Sequence, residues 1–344
     1  ADVKARVSGR RYAGISLSVP WRDGNQGGTA KWFVSPLTAT LLAVKGFLFI
    51  LERMISMSEH RKIVILGAGH VGSHVAQALC WRRCAQEIVL VDKEPGKAAA
   101  QAMDVADSLT FPSADTLVRA GDYADCADAA LIFVAIGKAR LPGQTRLDLL
   151  GDSVKMAREL LGQLAPYPPR GIVVSITNPA DIVADYLRRG LRLPRSRVFS
   201  TGTLLDTARL IRTLSEETGL SRHSITAYAL GEHGDSSMIP FSAIRAGGLA
   251  LDSYPAVDRA KLLERTHLIG MDIINGKGST EFGIGQAAAF LAETILLDRK
   301  AVLPVSVQLC GEYGQEGVHC GVPCVVGKDG AERIVELPLT PDEQ

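Results

Sequence analysis

What this chain lacks narrows its reading first. It has no surplus of charge: 38 Lys and Arg stand against 37 Asp and Glu, and no basic tract gathers the cations. A phosphate backbone calls for clustered Lys and Arg, so no nucleic-acid partner is indicated. Cysteine is sparse as well. Six in 344 residues (Cys80, Cys84, Cys126, Cys310, Cys320 and Cys324) make no dense disulfide framework. Free thiols in a reducing, cytoplasmic compartment are the expectation. No metal is expected either. The nearest thing to a ligand motif is His319-Cys320 with Cys324, but Gly321-Val322-Pro323 separates them and Val325-Val326 follows, a strand-and-turn pattern rather than a zinc knuckle. Long hydrophobic runs are missing too. The apolar stretch from Pro36 to Leu51 is broken by Lys45 and is shorter than the ~20 residues of a spanning helix, so no membrane partner is expected.

At 344 residues the chain exceeds the usual size of one domain, and two packed domains are the default. Residues 1–58 differ in composition from the rest. Up to Leu51 they hold seven Lys or Arg against only Asp2 and Asp23. A transit-like presequence, a membrane anchor and upstream translated sequence outside the working protein all fit this bias. Met57-Ser58-Glu59, standing directly before a clean start, favours the third. The expectation is a foreign extension over 1–58, disordered or a loosely attached helix, then a nucleotide domain over 59–200 and a substrate domain over 201–344.

From Lys62 the chain reads Ile63-Val64-Ile65-Leu66, then Gly67-Ala68-Gly69-His70-Val71-Gly72, then an apolar-periodic stretch through Ala76, Ala78 and Leu79. That is strand, glycine turn and helix, the context in which G-x-G-x-x-G carries meaning. Gly67 permits the turn, Gly69 lets backbone approach a diphosphate, and Gly72 lets helix and strand pack closely. The anion sits where unpaired N–H groups and the helix dipole favour it. A lone fingerprint is weak evidence, but a second signal follows. Glu87-Ile88-Val89-Leu90-Val91 reads as a buried parallel strand ending in Asp92, where an acid accepts hydrogen bonds from an adenosine ribose and repels a 2′-phosphate. NAD is therefore expected in preference to NADP. Ala130 to Ala135 and Gly171 to Ile176 continue the rhythm, so the first half builds an open, doubly wound parallel sheet of Rossmann type.

Three constellations downstream bear on chemistry. Glu232-His233-Gly234-Asp235 offers a histidine, whose side chain titrates near neutrality and can exchange the proton that accompanies a hydride. Leu205-Asp206-Thr207-Ala208-Arg209 puts Asp206 and Arg209 three apart on one helix face, able to serve one pocket. Gly137-Lys138-Ala139-Arg140-Leu141-Pro142-Gly143-Gln144-Thr145-Arg146 has the Gly and Pro content of a mobile loop.

In this order the motifs resemble those of the NAD-dependent L-lactate and L-malate dehydrogenase family, in its lactate-dehydrogenase-like branch, from about residue 60 to the C-terminus. The resemblance implies a Rossmann-type domain followed by an α+β substrate domain, NAD as cofactor, a small 2-oxo or 2-hydroxy acid as substrate, and a homotetramer or homodimer. It implies that His233 is the acid/base, that Asp206 holds its imidazole and stabilises the cation, and that Arg209 clamps the substrate carboxylate. Asn178, in Asn178-Pro179-Ala180-Asp181, is implied near the nicotinamide and the reacting oxygen. Arg146 is implied on a lid that closes over the developing alkoxide.

Substrate choice is divided. Arg140 stands at the lid position where malate-preferring members carry Arg and lactate-preferring members Gln. A second cation there pairs with the extra carboxylate of oxaloacetate and is left unpaired by pyruvate. In Lys277-Gly278-Ser279-Thr280-Glu281-Phe282-Gly283-Ile284, Thr280 instead matches the lactate type, beside the substrate side chain. Glu281 has no assigned role, since neighbours on a helix face apart. The balance leans narrowly to the dicarboxylate. Ile211 and Thr226 stand where bisphosphate-activated relatives carry Arg and His, so activation by fructose 1,6-bisphosphate is not expected, with Arg212 the one cation nearby. Two other readings are a nucleotide-binding protein without turnover, which loss of His233, Asp206 or an arginine would have favoured, and an NAD-using glycosidase, which needs a Cys and His metal pair near His319.

Overall fold

The structure, a computed structural model, describes the backbone of residues 6–7, 15–23 and 26–34 and all atoms of 61–111, 115–137, 150–234 and 236–344. The chain divides into two units, Ala1–His60 and Arg61–Gln344. In the first, strands Arg6–Val7 (β1), Ile15–Asp23 (β2) and Gln26–Val34 (β3) form an antiparallel sheet in the order β1-β2-β3. Strands here, rather than a helix, agree with a two-residue alternation in the sequence: Ile15, Leu17 and Val19 take turns with Ser16 and Ser18.

The second unit is built on nine strands. Lys62–Leu66 (β4), Glu87–Val91 (β5), Leu117–Ala120 (β6), Leu131–Val134 (β7), Ile172–Ser175 (β8) and Val198–Ser200 (β9) are parallel, in the spatial order β6-β5-β4-β7-β8-β9. That is the 3-2-1-4-5-6 order of a doubly wound dinucleotide fold, with its direction reversing between β4 and β7. β4 and β5 are buried at every residue, which is why they read as continuous apolar runs. Successive residues serve opposite faces: Ile63 and Ile65 join one core, Val64 and Leu66 the other. Helices His70–Arg82 (α1) and Pro95–Ser108 (α2) cover the first face, and Leu150–Leu164 (α3) and Ala180–Leu191 (α4) the second.

The substrate half begins with helix Leu204–Thr218 (α5), passes through short strands Ile225–Thr226 (β10), Arg245–Ala246 (β11) and Leu249–Ala250 (β12), and then forms helices Arg259–Lys277 (α6) and Phe282–Leu296 (α7). Its meander of Ala301–Cys310 (β13), Glu316–Gly327 (β14) and Gly330–Ile334 (β15) joins the main sheet antiparallel to β9 through Ser306 and Ser200. The last strand lies earlier than the Ile334 to Leu337 run suggests. Gly330, at φ +90°, opens β15 three residues after Gly327, and the pairing with β14 ends at Ile334. No helix of the described residues is long and apolar enough to cross a membrane.

Candidate active site

The C-terminal ends of β4, β7, β8 and β9 open into a cleft of about 450 Å³. Gly69, Asn178, Asp206, Arg209, His233 and Thr280 all line it, so one chamber receives these six predicted residues from both halves, while Gly67, Gly72 and Asp92 are not among its lining. Its place at the switch point between β4 and β7 follows the general rule for open α/β sheets.

On the coenzyme side, Gly67 adopts φ +107°, and a Cβ there would lie 2.5 Å from the Ala135 carbonyl oxygen. A Cβ on Gly72 would stand 1.9 Å from the Gly67 oxygen, so helix α1 can start this close to β4 only without one. At Gly69 the space beyond the backbone is open, and Gly69 is the N-cap of α1 with no side chain satisfying the first amides. These amides and the open approach fit a dinucleotide diphosphate. Asp92 directly follows β5 with its carboxylate held in place: Oδ2 accepts from the Ala68 N–H at 2.8 Å, Oδ1 from Glu94 N–H at 3.1 Å, and Lys97 Nζ stands 4.0 Å away.

On the substrate side, His233 is carried by a loop whose ends are pinned. Leu230 and Met238 exchange backbone hydrogen bonds of 2.8 and 2.9 Å, and Gly231 pairs in the same way with Gly321 of β14 at 2.9 and 2.7 Å. His233 Nδ1 lies 2.5 Å from Asp206 Oδ2. A carboxylate only accepts, so Nδ1 carries the hydrogen and Nε2 is the nitrogen left to exchange a proton with the cleft. Asp206 Oδ1 accepts in turn from Arg209 Nη1 at 3.0 Å. The i, i+3 spacing on α5 makes this bridge, as the sequence suggested, and all three side chains are 15 % exposed or less. Gly270 of α6 faces Arg209: a Cβ there would sit 3.3 Å from Arg209 Nη1, so a side chain at this position would crowd the guanidinium. A cation, an anion and a proton-exchanging ring in one water-poor wall can bind a carboxylate and move a proton to or from a neighbouring oxygen.

The Asn178–Pro179 bond is cis, and the Asn178 carbonyl accepts from Ser153 Oγ at 2.7 Å. Arg140 and Arg146 lie outside the described residues; the flanks of their segment, Gly137 on one side and Asp152 and Ser153 on the other, border the cleft. Glu281 is the N-cap of α7 and not an interior helix residue, so the facing rule used for it does not apply. Its carboxylate accepts from Lys277 Nζ at 2.5 Å and from Ser279 Oγ, and lies 3.7 Å from His70 Nδ1. Those bonds hold its pKa below the usual carboxylate range.

Sequence reasoning assigned no role to Asp152, Ser153, Lys97 or His267, all of which line the cleft. His267 Nε2 lies 2.9 Å from Ser237 Oγ and 3.0 Å from the Ser237 carbonyl oxygen. Only the proximity of Asp152 and Ser153 to the Gly- and Pro-containing motif ending at Arg146 could have signalled any of them. All six cysteines are free, and among the described residues no group of three or more His, Cys, Asp or Glu is disposed to hold a metal. Of the two thiols near His319, Cys320 is half-buried and Cys324 buried, and burial pushes them up to about 11 and about 12.

Comparison with known proteins gives a consistent picture. Residues 61–200 match the lactate/malate dehydrogenase NAD binding domain, and residues 203–344 match the lactate/malate dehydrogenase alpha/beta C-terminal domain. The chain is 38% identical over 292 residues to L-lactate dehydrogenase 3 of Bacillus cereus, covering 83% of this chain and 92% of the relative. To L-lactate dehydrogenase 1 of Bifidobacterium longum it is 36% identical over 299 residues, covering 85% and 94%. Among solved structures it is similar to the minor L-lactate dehydrogenase from Enterococcus mundtii in its ligands-bound form, with a TM-score of 0.80 at 34% identity over 83% of this chain and 93% of that one.

Proposed function

Because the chain belongs to the lactate/malate dehydrogenase family and is an NAD-dependent oxidoreductase, we propose that it reversibly reduces a small 2-oxo acid to the L-2-hydroxy acid, with pyruvate and L-lactate as the physiological pair. The observation that carries this reading is the chain of contacts from Arg209 through Asp206 to His233 in the wall of the cleft. The L-lactate dehydrogenase names of the relatives described above and Thr280 in the cleft support lactate as the hydroxy acid.

NAD fits the residues present: Gly67, Gly69, Gly72 and the first amides of α1 would hold its diphosphate, and Asp92 its adenosine ribose. When bound, the reduced coenzyme supplies the hydride and the oxidised form accepts it back. Arg209 engages the substrate carboxylate with its forked donors and so fixes which face of the 2-oxo carbon is presented. Nε2 of His233 donates a proton to the 2-oxo oxygen in reduction and takes it from the 2-hydroxyl in oxidation. Asp206 lowers the free energy of the imidazolium that exists between these steps. Asn178 orients the reacting oxygen, and Arg146, the family-matched arginine outside the described residues, would stabilise the negative charge that develops there.

A second reading, oxaloacetate and L-malate, is favoured by one residue, Arg140, whose cation matches a second carboxylate. The test is kcat/KM with NADH for pyruvate and for oxaloacetate, on wild type and Arg140→Gln. A pyruvate preference in the wild type upholds the lactate reading. An oxaloacetate preference that the substitution reverses replaces it with the malate one.

A homotetramer, or a dimer, goes with this reading. A second groove of about 490 Å³ is lined by apolar residues including Leu204, Ala208, Ile211, Tyr228, Phe290 and Pro304, and supports self-association through this face. Ile211 and Thr226 both line it, which leaves no cation at either position for a bisphosphate. Sedimentation velocity decides the assembly: a lone 36.7 kDa species would contradict it.

A further inference from the structure

Asp181 closes the Asn-Pro-x-Asp turn in the first turn of α4, a place where an acid ordinarily serves its own helix. Here it also reaches beyond that helix. Pro179 is the N-cap, no side chain caps the helix, and Asp181 Oδ2 crosses to the other half of the unit and accepts from the backbone N–H of His233 at 3.0 Å. Its residue is 8 % exposed, and Oδ1, like Ser306 Oγ, is buried without a hydrogen-bond partner. A carboxylate in such a setting is costly unless its charge is used.

We propose that Asp181 is a positioning residue for the reaction, a second carboxylate that fixes His233 from behind and stabilises the charge its ring acquires. The inference rests on the reading of His233 as the acid/base. Asp206 holds the ring by Nδ1 and Asp181 holds the main chain of the same residue, so the imidazole is located from two independent elements, α5 and α4. The turn that bears Asn178 is pinned by Ser153 on one side and tied to His233 by Asp181 on the other. One carboxylate therefore fixes the separation between the groups at the reacting oxygen. Its charge also lies within reach of the imidazolium. Burial holds the Asp181 carboxyl above its usual range, with the His233 N–H and the His233 charge opposing that rise. Among the described residues, the other titratable or charged groups around His233 are Asp206 and Arg209 from α5, Glu232 beside it, and His267 from α6 through Ser237.

Asp181→Asn keeps the shape and the acceptor for the His233 N–H and removes only the charge; Asp181→Ala removes both. In the direction of 2-oxo acid reduction the rate falls as pH rises through deprotonation of the acid/base. Loss of a stabilising anion moves that fall to lower pH, by roughly one unit. The experiment records kcat/KM for pyruvate against pH, and NADH affinity by fluorescence, for wild type, His233→Asn and both Asp181 variants. Expected are a downward shift of the falling limb in Asp181→Asn, a kcat at least tenfold lower still in Asp181→Ala, and NADH affinity within about twofold of wild type in both. A limb in Asp181→Asn that superimposes on the wild type overturns the proposal, as does equal kcat in the two variants. Full turnover in His233→Asn would instead overturn the acid/base reading beneath it, so the two failures are told apart.

Discussion

Replacing Asp206 by Asn tests the energetics of the cleft in a single atom. The carboxylate touches the imidazole at 2.5 Å through Oδ2 and Arg209 at 3.0 Å through Oδ1. With charge centres some ~4 Å apart and an effective dielectric of ~20, the attraction between carboxylate and imidazolium is about 4 kcal/mol. At about 1.4 kcal/mol per decade, its loss lowers kcat by about three decades. Arg209 draws on the same carboxylate, so part of that attraction is already offset, and two decades is roughly the lower bound. An amide also presents an N–H toward Nδ1 in one of its orientations and favours the tautomer that leaves no lone pair on Nε2 for oxidation. The coenzyme site is untouched. The assay is steady-state reduction of pyruvate at saturating NADH near pH 7, with NADH affinity followed separately by fluorescence quenching. A kcat within tenfold of the wild type would refute the reasoning. So would a loss of NADH binding that matches the loss of turnover, since the effect would then be one of structure.

Other expectations concern the frame around the site. His319 of β14 has a side chain 1 % exposed, 3.3 Å from Asp185 and near Arg188 and Arg189, and burial pushes it down to about 4. The unfolded chain takes up this proton near 6.5 and the folded chain only near 4, so the contribution to stability is complete above 6.5 and is lost as pH falls toward 4. Urea unfolding should therefore show the wild type losing about 2 kcal/mol from this group between neutral pH and about pH 5, a loss that His319→Leu removes; parallel pH dependence in the two proteins would contradict it. Gly72→Ala puts a methyl 1.9 Å from the Gly67 oxygen and should weaken NADH binding by at least about tenfold through displacement of the glycine turn, measured by the same fluorescence titration. Unchanged affinity would mean that α1 shifts without cost.

The parts of this architecture that could be read in the sequence are those where one physical demand dominates. β4 and β5 are covered on both faces, so they appear as unbroken apolar runs, and the glycine turn between β4 and α1 has little alternative to Gly67 and Gly72. β6 and β9 escaped notice for the opposite reason. Leu117 in β6 is exposed on an edge strand, and β9 is three residues long, too short for any period to show. In the cleft, Asp206 and Arg209 were legible because helical spacing brings i and i+3 together, and the contact found is the one that spacing implies. The bond from Asp181 to His233 spans 52 residues and depends on how α4 meets the loop pinned at Gly231 and Gly321, which no local pattern records. Glu281 does not line the cleft beside Thr280, as expected, but the reason lies in its place at the N-cap of α7 and not in the facing of helix neighbours.

The central claim is that His233 moves the proton and takes no part in holding the coenzyme. Turnover of pyruvate and the NADH dissociation constant, measured side by side for wild type and His233→Asn, test it most directly. The account predicts NADH affinity within about twofold of the wild type and kcat lower by about four decades or more, the scale of losing both a general acid and its charge-stabilised cation. Turnover within tenfold of the wild type, or loss of NADH binding in step with loss of turnover, would contradict it.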